Sequence, residues 1–204
     1  MVTGGRSGLG FEIAKSFLGQ GATVIIASRN LARNTLAVKR LKDLFGNNAD
    51  LSFMMFDLEL LDSVREFCNE FMDKYDRLDY LFLNAASMQR PTEWTNDNTD
   101  KVPSPITSDG YDSIFQAVYI GQVLMAESLL PVLRETDGPS RVIMTASSTH
   151  AEACFELFGN TEHNDCFGDD VTSLNLMPLT NPYADIIQLG SYAIGKYLHL
   201  QMAK

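Results

Sequence analysis

Thr3-Gly4-Gly5-Arg6-Ser7-Gly8-Leu9-Gly10 stands between a short strand stub, Met1-Val2-Thr3, and a stretch in which Leu9, Ile13, Phe17 and Leu18 fall on one helical face. A strand, a glycine-rich turn and a helix in that order place unpaired N–H groups and the positive end of a helix dipole at the turn. Glycines there let the backbone pass close to a pyrophosphate. The spacing is Gly-x-x-x-Gly-x-Gly through Gly4, Gly8 and Gly10, rather than the commoner Gly-x-Gly-x-x-Gly. A glycine-rich turn with no ligand would use the same residues, so the loop gains meaning from what surrounds it.

Working outward, short apolar runs alternate with helical patterns. Ala22–Ala27, Leu51–Phe56, Tyr80–Leu83 and Val142–Ala146 read as strands, the first β-branched enough for a buried parallel position. Val64, Phe67, Cys68 and Phe71 share a helical face, and Tyr111–Glu135 reads as a long apolar helical stretch that Pro131 kinks near its end. This alternation predicts an α/β fold, a doubly wound parallel sheet of the Rossmann type. The segments Arg90–Gly110 and Ser148–Leu189 break the rhythm and read as loops. The expected organisation is one nucleotide-binding domain over residues 1–204, with a long insertion at about 148–189, truncated at both ends.

Three further sites carry chemistry. Ser28-Arg29-Asn30 closes the ATVIIA strand where an NAD-binding domain usually has an acid for the ribose 2′-OH. A guanidinium at Arg29 suits a 2′-phosphate, and Arg6 in the glycine loop adds a second positive charge, so NADP(H) is the expected cofactor. The alternative is a solvated charge at a strand end. Tyr192 and Lys196 are i and i+4 on a helix, so phenol and ammonium share a face. The ammonium favours phenolate and makes Tyr192 a candidate acid or base at a carbonyl or alcohol oxygen. A surface pair is the plainer reading when Tyr-x-x-x-Lys stands alone. Ser147, with Ser148 beside it, ends the VIMTA strand, where ligands meet open α/β sheets.

Taken together, these residues resemble the short-chain dehydrogenase/reductase family. TGGRSGLG is similar to its cofactor loop, with Gly4, Arg6, Ser7, Gly8, Leu9 and Gly10 expected on the cofactor. Asp57-Leu58 resembles the pair that contacts adenine after the third strand, and Asn84-Ala85-Ala86 the Asn-Ala-Gly motif after the fourth. Ser147, Tyr192 and Lys196 match the catalytic serine, tyrosine and lysine. The resemblance implies hydride transfer between a nicotinamide and a carbonyl or alcohol carbon. Tyr192 is then general acid or base, Lys196 binds the nicotinamide ribose and tunes Tyr192, and Ser147 holds the substrate oxygen.

The sequence departs from the family pattern in places. Val118 stands where the family has an asparagine that organises a proton relay, and Ala86 replaces a glycine. The stretch between Ser147 and Tyr192 is longer than usual, which motivates a fairly large apolar substrate. Leu61-Asp62-Ser63-Val64-Arg65 and Gln89-Arg90-Pro91-Thr92 resemble protochlorophyllide oxidoreductase. Asp109-Gly110-Tyr111 and Leu129-Leu130-Pro131 resemble retinol dehydrogenases and 3-ketosteroid reductases, so several subfamilies stay open. The alternative function is a cofactor-binding protein without turnover, a sensor or subunit. The resemblance also suggests a homodimer paired through Tyr111–Glu135 and Ser191–Ala203.

Composition excludes little of this. The 204 residues are 45% hydrophobic and 21% charged, with a net charge of -10. That balance argues against nucleic-acid or anionic-membrane partners. Three cysteines (Cys68, Cys154 and Cys166) suit a reducing compartment, and the expected location is cytoplasmic, with no membrane span. His150, Cys154, His163 and Cys166 match no zinc spacing, so no metal is expected. Asp165, Asp169 and Asp170 read as a solvated acidic face, and Trp94 as a candidate pocket-lining residue.

Overall fold

The computed structural model describes residues 1–86 and 105–148 and, beyond them, Tyr192, Ile194, Gly195, Lys196 and Leu198. The chain divides into two units, one of Met1–Ala86 with Gly121–Thr145 and the other of Ser87–Ile120 with Ala146–Lys204.

The first unit holds a five-stranded parallel sheet: β1 (Val2–Thr3), β2 (Val24–Ala27), β3 (Leu51–Met54), β4 (Tyr80–Leu83) and β5 (Arg141–Met144). The spatial order is β3-β2-β1-β4-β5, so the winding direction reverses between β1 and β4. In open α/β sheets that reversal opens a crevice at the carboxyl ends of the strands. Val2 pairs with Ile26 on one side and Phe82 on the other, which makes the two-residue β1 the middle of the sheet. All four residues of β2 are buried, as its β-branched sequence requires of a strand covered on both faces.

The strands are shorter than the apolar runs, for local reasons. Ala22 belongs to the end of α1 (Gly8–Gly19). Its N–H donates to Phe17 O and that of Gly21 to Leu18 O, with Gly21 at φ +79°, a Schellman cap. Met54 is opposite Ala27, the last residue of β2, and β3 ends with that pair. β5 begins one residue early, at Arg141, because its partner β4 begins at Tyr80.

Helix α1 packs on the sheet through a face rotated from the predicted one, which keeps Leu18 in the core and Ile13 and Phe17 at its edge but leaves Leu9 out. Phe11, Ala14 and Leu18 are buried against Val2, Val24, Ile26, Ala37, Leu41 and Leu51, with Ile13 and Phe17 at the edge. Leu9 is 59% exposed. It precedes Phe11 by two positions, about 200° round the helix, and so faces away from the sheet. The predicted face of α3 (Leu61–Lys74) is borne out, with Val64, Phe67, Cys68 and Phe71 all buried. Burial pushes the Cys68 thiol up to about 12, so it packs as a small hydrophobe and not as a nucleophile. The remaining helix of this sheet, α2 (Leu31–Phe45), buries Asn34, Ala37 and Leu41.

The stretch Tyr111–Glu135 is helical but broken. It comprises α4 (Ser113–Phe115), a π-helical turn (Gln116–Ile120), α5 (Gly121–Ser128) and α6 (Leu130–Glu135). Pro131 lies in the first turn of α6, where its missing N–H costs nothing, and the break falls just before it at Leu129. Among the described residues no helix is long and apolar enough to cross a membrane. No group of three or more His, Cys, Asp or Glu residues among them could hold a metal ion.

Candidate functional site

At the carboxyl ends of the strands, where the winding reverses, Thr3 and Asn84 tie β1 to β4. The Thr3 hydroxyl donates to Phe82 O and accepts from the N–H groups of Asn84 and Ala85. The Asn84 side chain donates to Thr3 O at 3.1 Å and accepts from the Thr145 hydroxyl at 3.2 Å. Buried Gln122, on α5, donates its side-chain amide to Ala85 O. Asn84 therefore aligns the ends of three strands, and Gln122 holds the turn that follows it. Thr3, Gln122 and Thr145 were not singled out by the sequence reading. Thr3 is part of the glycine motif, but a hydroxyl's partners 79 to 82 residues away leave no local trace.

The glycine loop rests on this clamp. Gly4 adopts φ +67°, and a Cβ there would sit 3.0 Å from Ala85 Cα. At Gly10 a Cβ would come within 2.6 Å of both Asn84 Nδ2 and Gly4 O. These two glycines let loop, helix and β4 approach. Gly8 differs: φ is +54° and nothing lies within 4 Å of where its Cβ would be. Ser7 caps α1 without a side-chain cap hydrogen bond, and Ser7, Gly8 and Leu9 are exposed. The exposed start of α1 at Ser7, Gly8 and Leu9, with open space beside Gly8, forms a cradle that fits a pyrophosphate.

At the ends of β2 and β3 the predicted residues take distinct places. Ser28 is buried, its hydroxyl donating to Asn34 Oδ1 at 2.5 Å, while Asn34 Nδ2 returns to Ser28 O. Asn30 caps α2 by accepting from Arg33 N–H. Arg29 is half-exposed and donates from Nη1 to Glu59 Oε1 at 2.5 Å, with Asp57 Oδ1 at 3.7 Å. Asp57 accepts from the Glu59 N–H, and the Ser63 hydroxyl accepts from the Asp57 N–H. Leu58 is buried. The Arg6 guanidinium is held below its ordinary value, by burial first and then by the charges of Arg33 and Arg29. Arg6 thus lies close enough to feel both Arg33 and Arg29, an arrangement that an anion relieves. Arg33 and Glu59 escaped the sequence reading because single charges on a helix and in a turn look like solvated surface.

The second unit carries the other candidates. Tyr192 and Lys196 both occupy helical positions, and Lys196 Nζ is 5.7 Å from the centre of the Tyr192 ring. Lys196 is 1% exposed, and burial lowers its ammonium to about 8. Ser147 follows β5 and is half-buried. Val118 is fully buried on the π-helical turn. A Cβ on Gly195 would lie 2.8 Å from Val118 Cγ1, so Gly195 is what lets the tyrosine–lysine segment approach that turn. Gly195→Ala should cost about 1–3 kcal/mol of stability through overpacking. Chemical denaturation would measure the cost, and Val118→Ala in the same chain should restore part of it.

Gln89, Arg90, Trp94, His150, Cys154, His163, Asp165, Cys166, Asp169 and Asp170 lie outside the described residues, as do most of the two predicted loops. The described end of the first loop, Pro105–Gly110, turns back through an antiparallel bridge between Ile106 and Asp112.

A doubly wound parallel sheet with a glycine cradle at its reversal point defines a nucleotide-binding α/β protein. Residues 1–158 match the family model for short chain dehydrogenase, and the chain belongs to that family of oxidoreductases. WW domain-containing oxidoreductase of Homo sapiens is 38% identical over 150 residues, covering 74% of this chain and 33% of that one. Polyprenol dehydrogenase of Homo sapiens is 32% identical over 153 residues, 74% of this chain and 42% of that one. The chain thus spans a third to under half of these relatives' length. Among solved structures, a short chain dehydrogenase from Escherichia coli CFT073 complexed with NADPH superposes with TM-score 0.65 at 20% identity, over 98% of this chain and 66% of that one. The Pseudomonas aeruginosa RhlG/NADP active-site complex gives 0.59 at 27% identity, over 74% of this chain and 54% of that one.

Proposed function

We propose that this chain is the nucleotide-binding and catalytic part of an NADP(H)-dependent oxidoreductase that interconverts a carbonyl and an alcohol on a fairly large apolar substrate. The reading takes residues 1–204 as one domain with the stretch 148–189 as an insertion. The observation that carries it is the pairing of Tyr192 with the buried Lys196. When bound, the nicotinamide supplies or takes the hydride. The chain's residues do the rest. The glycine cradle holds the pyrophosphate, Arg29 and Arg6 meet the 2′-phosphate, and Asp57, Leu58 and Asn84-Ala85-Ala86 flank the nucleotide. Ser147 holds the substrate oxygen and Tyr192 exchanges a proton with it. Below pH of about 8 Lys196 keeps its charge beside the Tyr192 ring. A relative named polyprenol dehydrogenase supports the apolar substrate. Neighbours crystallised with NADP or NADPH support the cofactor.

The test is absorbance-monitored hydride transfer by purified full-length protein across ketone, aldehyde and isoprenoid-alcohol panels. Tight NADPH binding with no turnover on any of them would favour a second reading, a cofactor-binding protein that does not catalyse. Val118 speaks for it, because a buried isopropyl group cannot relay a proton. Cofactor choice has its own test. Arg29→Ala should weaken NADPH by roughly 10- to 100-fold, the worth of a charge-assisted phosphate contact, and NADH by under about twofold. Equal losses, read by ligand fluorescence, would take Arg29 off the 2′-phosphate.

A further inference from the structure

We propose that Glu59 sets the strength of the preference for NADP(H) over NAD(H), as a carboxylate salt-bridged to Arg29 that a 2′-phosphate must displace. The proposal rests on the reading of Arg29 as the 2′-phosphate contact. Arg29 is bound in this structure: its Nη1 lies 2.5 Å from Glu59 Oε1, and Asp57 Oδ1 stands 3.7 Å away. The Glu59 side chain is only 21% exposed against 48% for Arg29, so it is the better-anchored partner. Its place is fixed locally, since the Glu59 N–H donates to Asp57 Oδ1 in a tight turn after β3.

A phosphomonoester brings a charge of about -1.5 to -2 at neutral pH. It cannot share Arg29 with Glu59 without placing like charges side by side. The incoming group must therefore break the existing pair or accept a contact half-neutralised by it. A 2′-hydroxyl carries no charge and meets no such conflict. Glu59 thus opposes NADP(H) selectively, while Arg6, whose guanidinium feels the like charges of Arg33 and Arg29, acts in the opposite direction. The balance between the two carboxylates beside Arg29, Glu59 at 2.5 Å and Asp57 at 3.7 Å, and the guanidinium groups of Arg29 and Arg6 decides how far the site favours the phosphorylated cofactor.

Glu59→Gln keeps the side chain's shape and removes its charge. NADPH binding to purified protein, followed by nicotinamide fluorescence, should tighten by roughly 3- to 10-fold, with NADH changed by under twofold. The same selectivity should separate 2′,5′-ADP from 5′-AMP in displacement assays, which involve no turnover. In the Arg29→Ala background the effect of Glu59→Gln should fall below twofold, because Glu59 acts through Arg29. If Glu59→Gln weakens NADPH or leaves it unchanged while Arg29→Ala stays selective, Glu59 merely props the arginine and the proposal fails alone. If Arg29→Ala weakens both cofactors equally, the underlying reading fails. If neither nucleotide binds the parent protein, both fail.

Discussion

Tyr192→Phe is expected to lower kcat for carbonyl reduction by about 10²- to 10⁴-fold, the usual worth of a positioned general acid. NADPH affinity should change by less than about twofold. The phenylalanine keeps the ring that stands 5.7 Å from Lys196 Nζ and removes only the hydroxyl. The segment should therefore hold its packing through Ile194, Lys196 and Leu198, all buried. Loss of activity without loss of binding separates a proton donor from a structural side chain. The pH profile adds a second readout. Burial holds Lys196 to about 8, so the ammonium beside Tyr192 loses its charge as pH rises through that value. The burial itself has a sign. Between about 8 and the ordinary lysine value of 10.5 the unfolded chain binds more protons than the folded one, so this group makes folding more favourable as pH rises across that window. If Tyr192→Phe retains more than a tenth of parental kcat, Tyr192 is not the acid.

Gly10→Ala should be the most damaging single methyl in the nucleotide loop. The new Cβ would lie 2.6 Å from Asn84 Nδ2 and from Gly4 O, and 2.9 Å from Gly4 C. Two of those atoms are backbone and cannot rotate away. The third belongs to the amide that bonds both Thr3 and Thr145, so moving it loosens the ends of β1, β4 and β5 together. Overpacking of this kind costs about 1–3 kcal/mol, and each displaced hydrogen bond adds about 1. The expected total, on the order of 3–5 kcal/mol, corresponds to a drop of roughly 6–20 °C in Tm for a chain of this size. NADPH should also lose most of its power to raise Tm, because the cradle it occupies would be displaced. Gly8→Ala provides the contrast: its Cβ meets nothing within 4 Å, so only the φ of +54° opposes it. A Gly10→Ala protein melting within 2 °C of its parent would mean that the loop and the Asn84 amide give way without loss of stability, against this expectation.

What could be read along the chain was whatever depends on near neighbours. The buried β2, the face of α3 and the i, i+4 placement of Tyr192 and Lys196 follow from periods of two and 3.6 residues. The parallel, doubly wound sheet follows from their alternation. Leu9 marks the limit of this logic. Hydrophobicity put it on the inner face, but the helix turns by which residues the sheet can receive, and Phe11 and Ala14 took that side.

The site's finer structure lies beyond such reading because its partners are far apart in the chain. Asn84 reaches Thr3 across 81 residues, and Gly195 makes room for Val118. Arg29 meets Glu59 across 30 residues only because β2 and β3 are adjacent and end level, Ala27 beside Met54. A charge at a strand end is legible in the amino-acid order. Which opposite charge it meets depends on strand order and register, and these emerge only when the sheet closes its backbone hydrogen bonds.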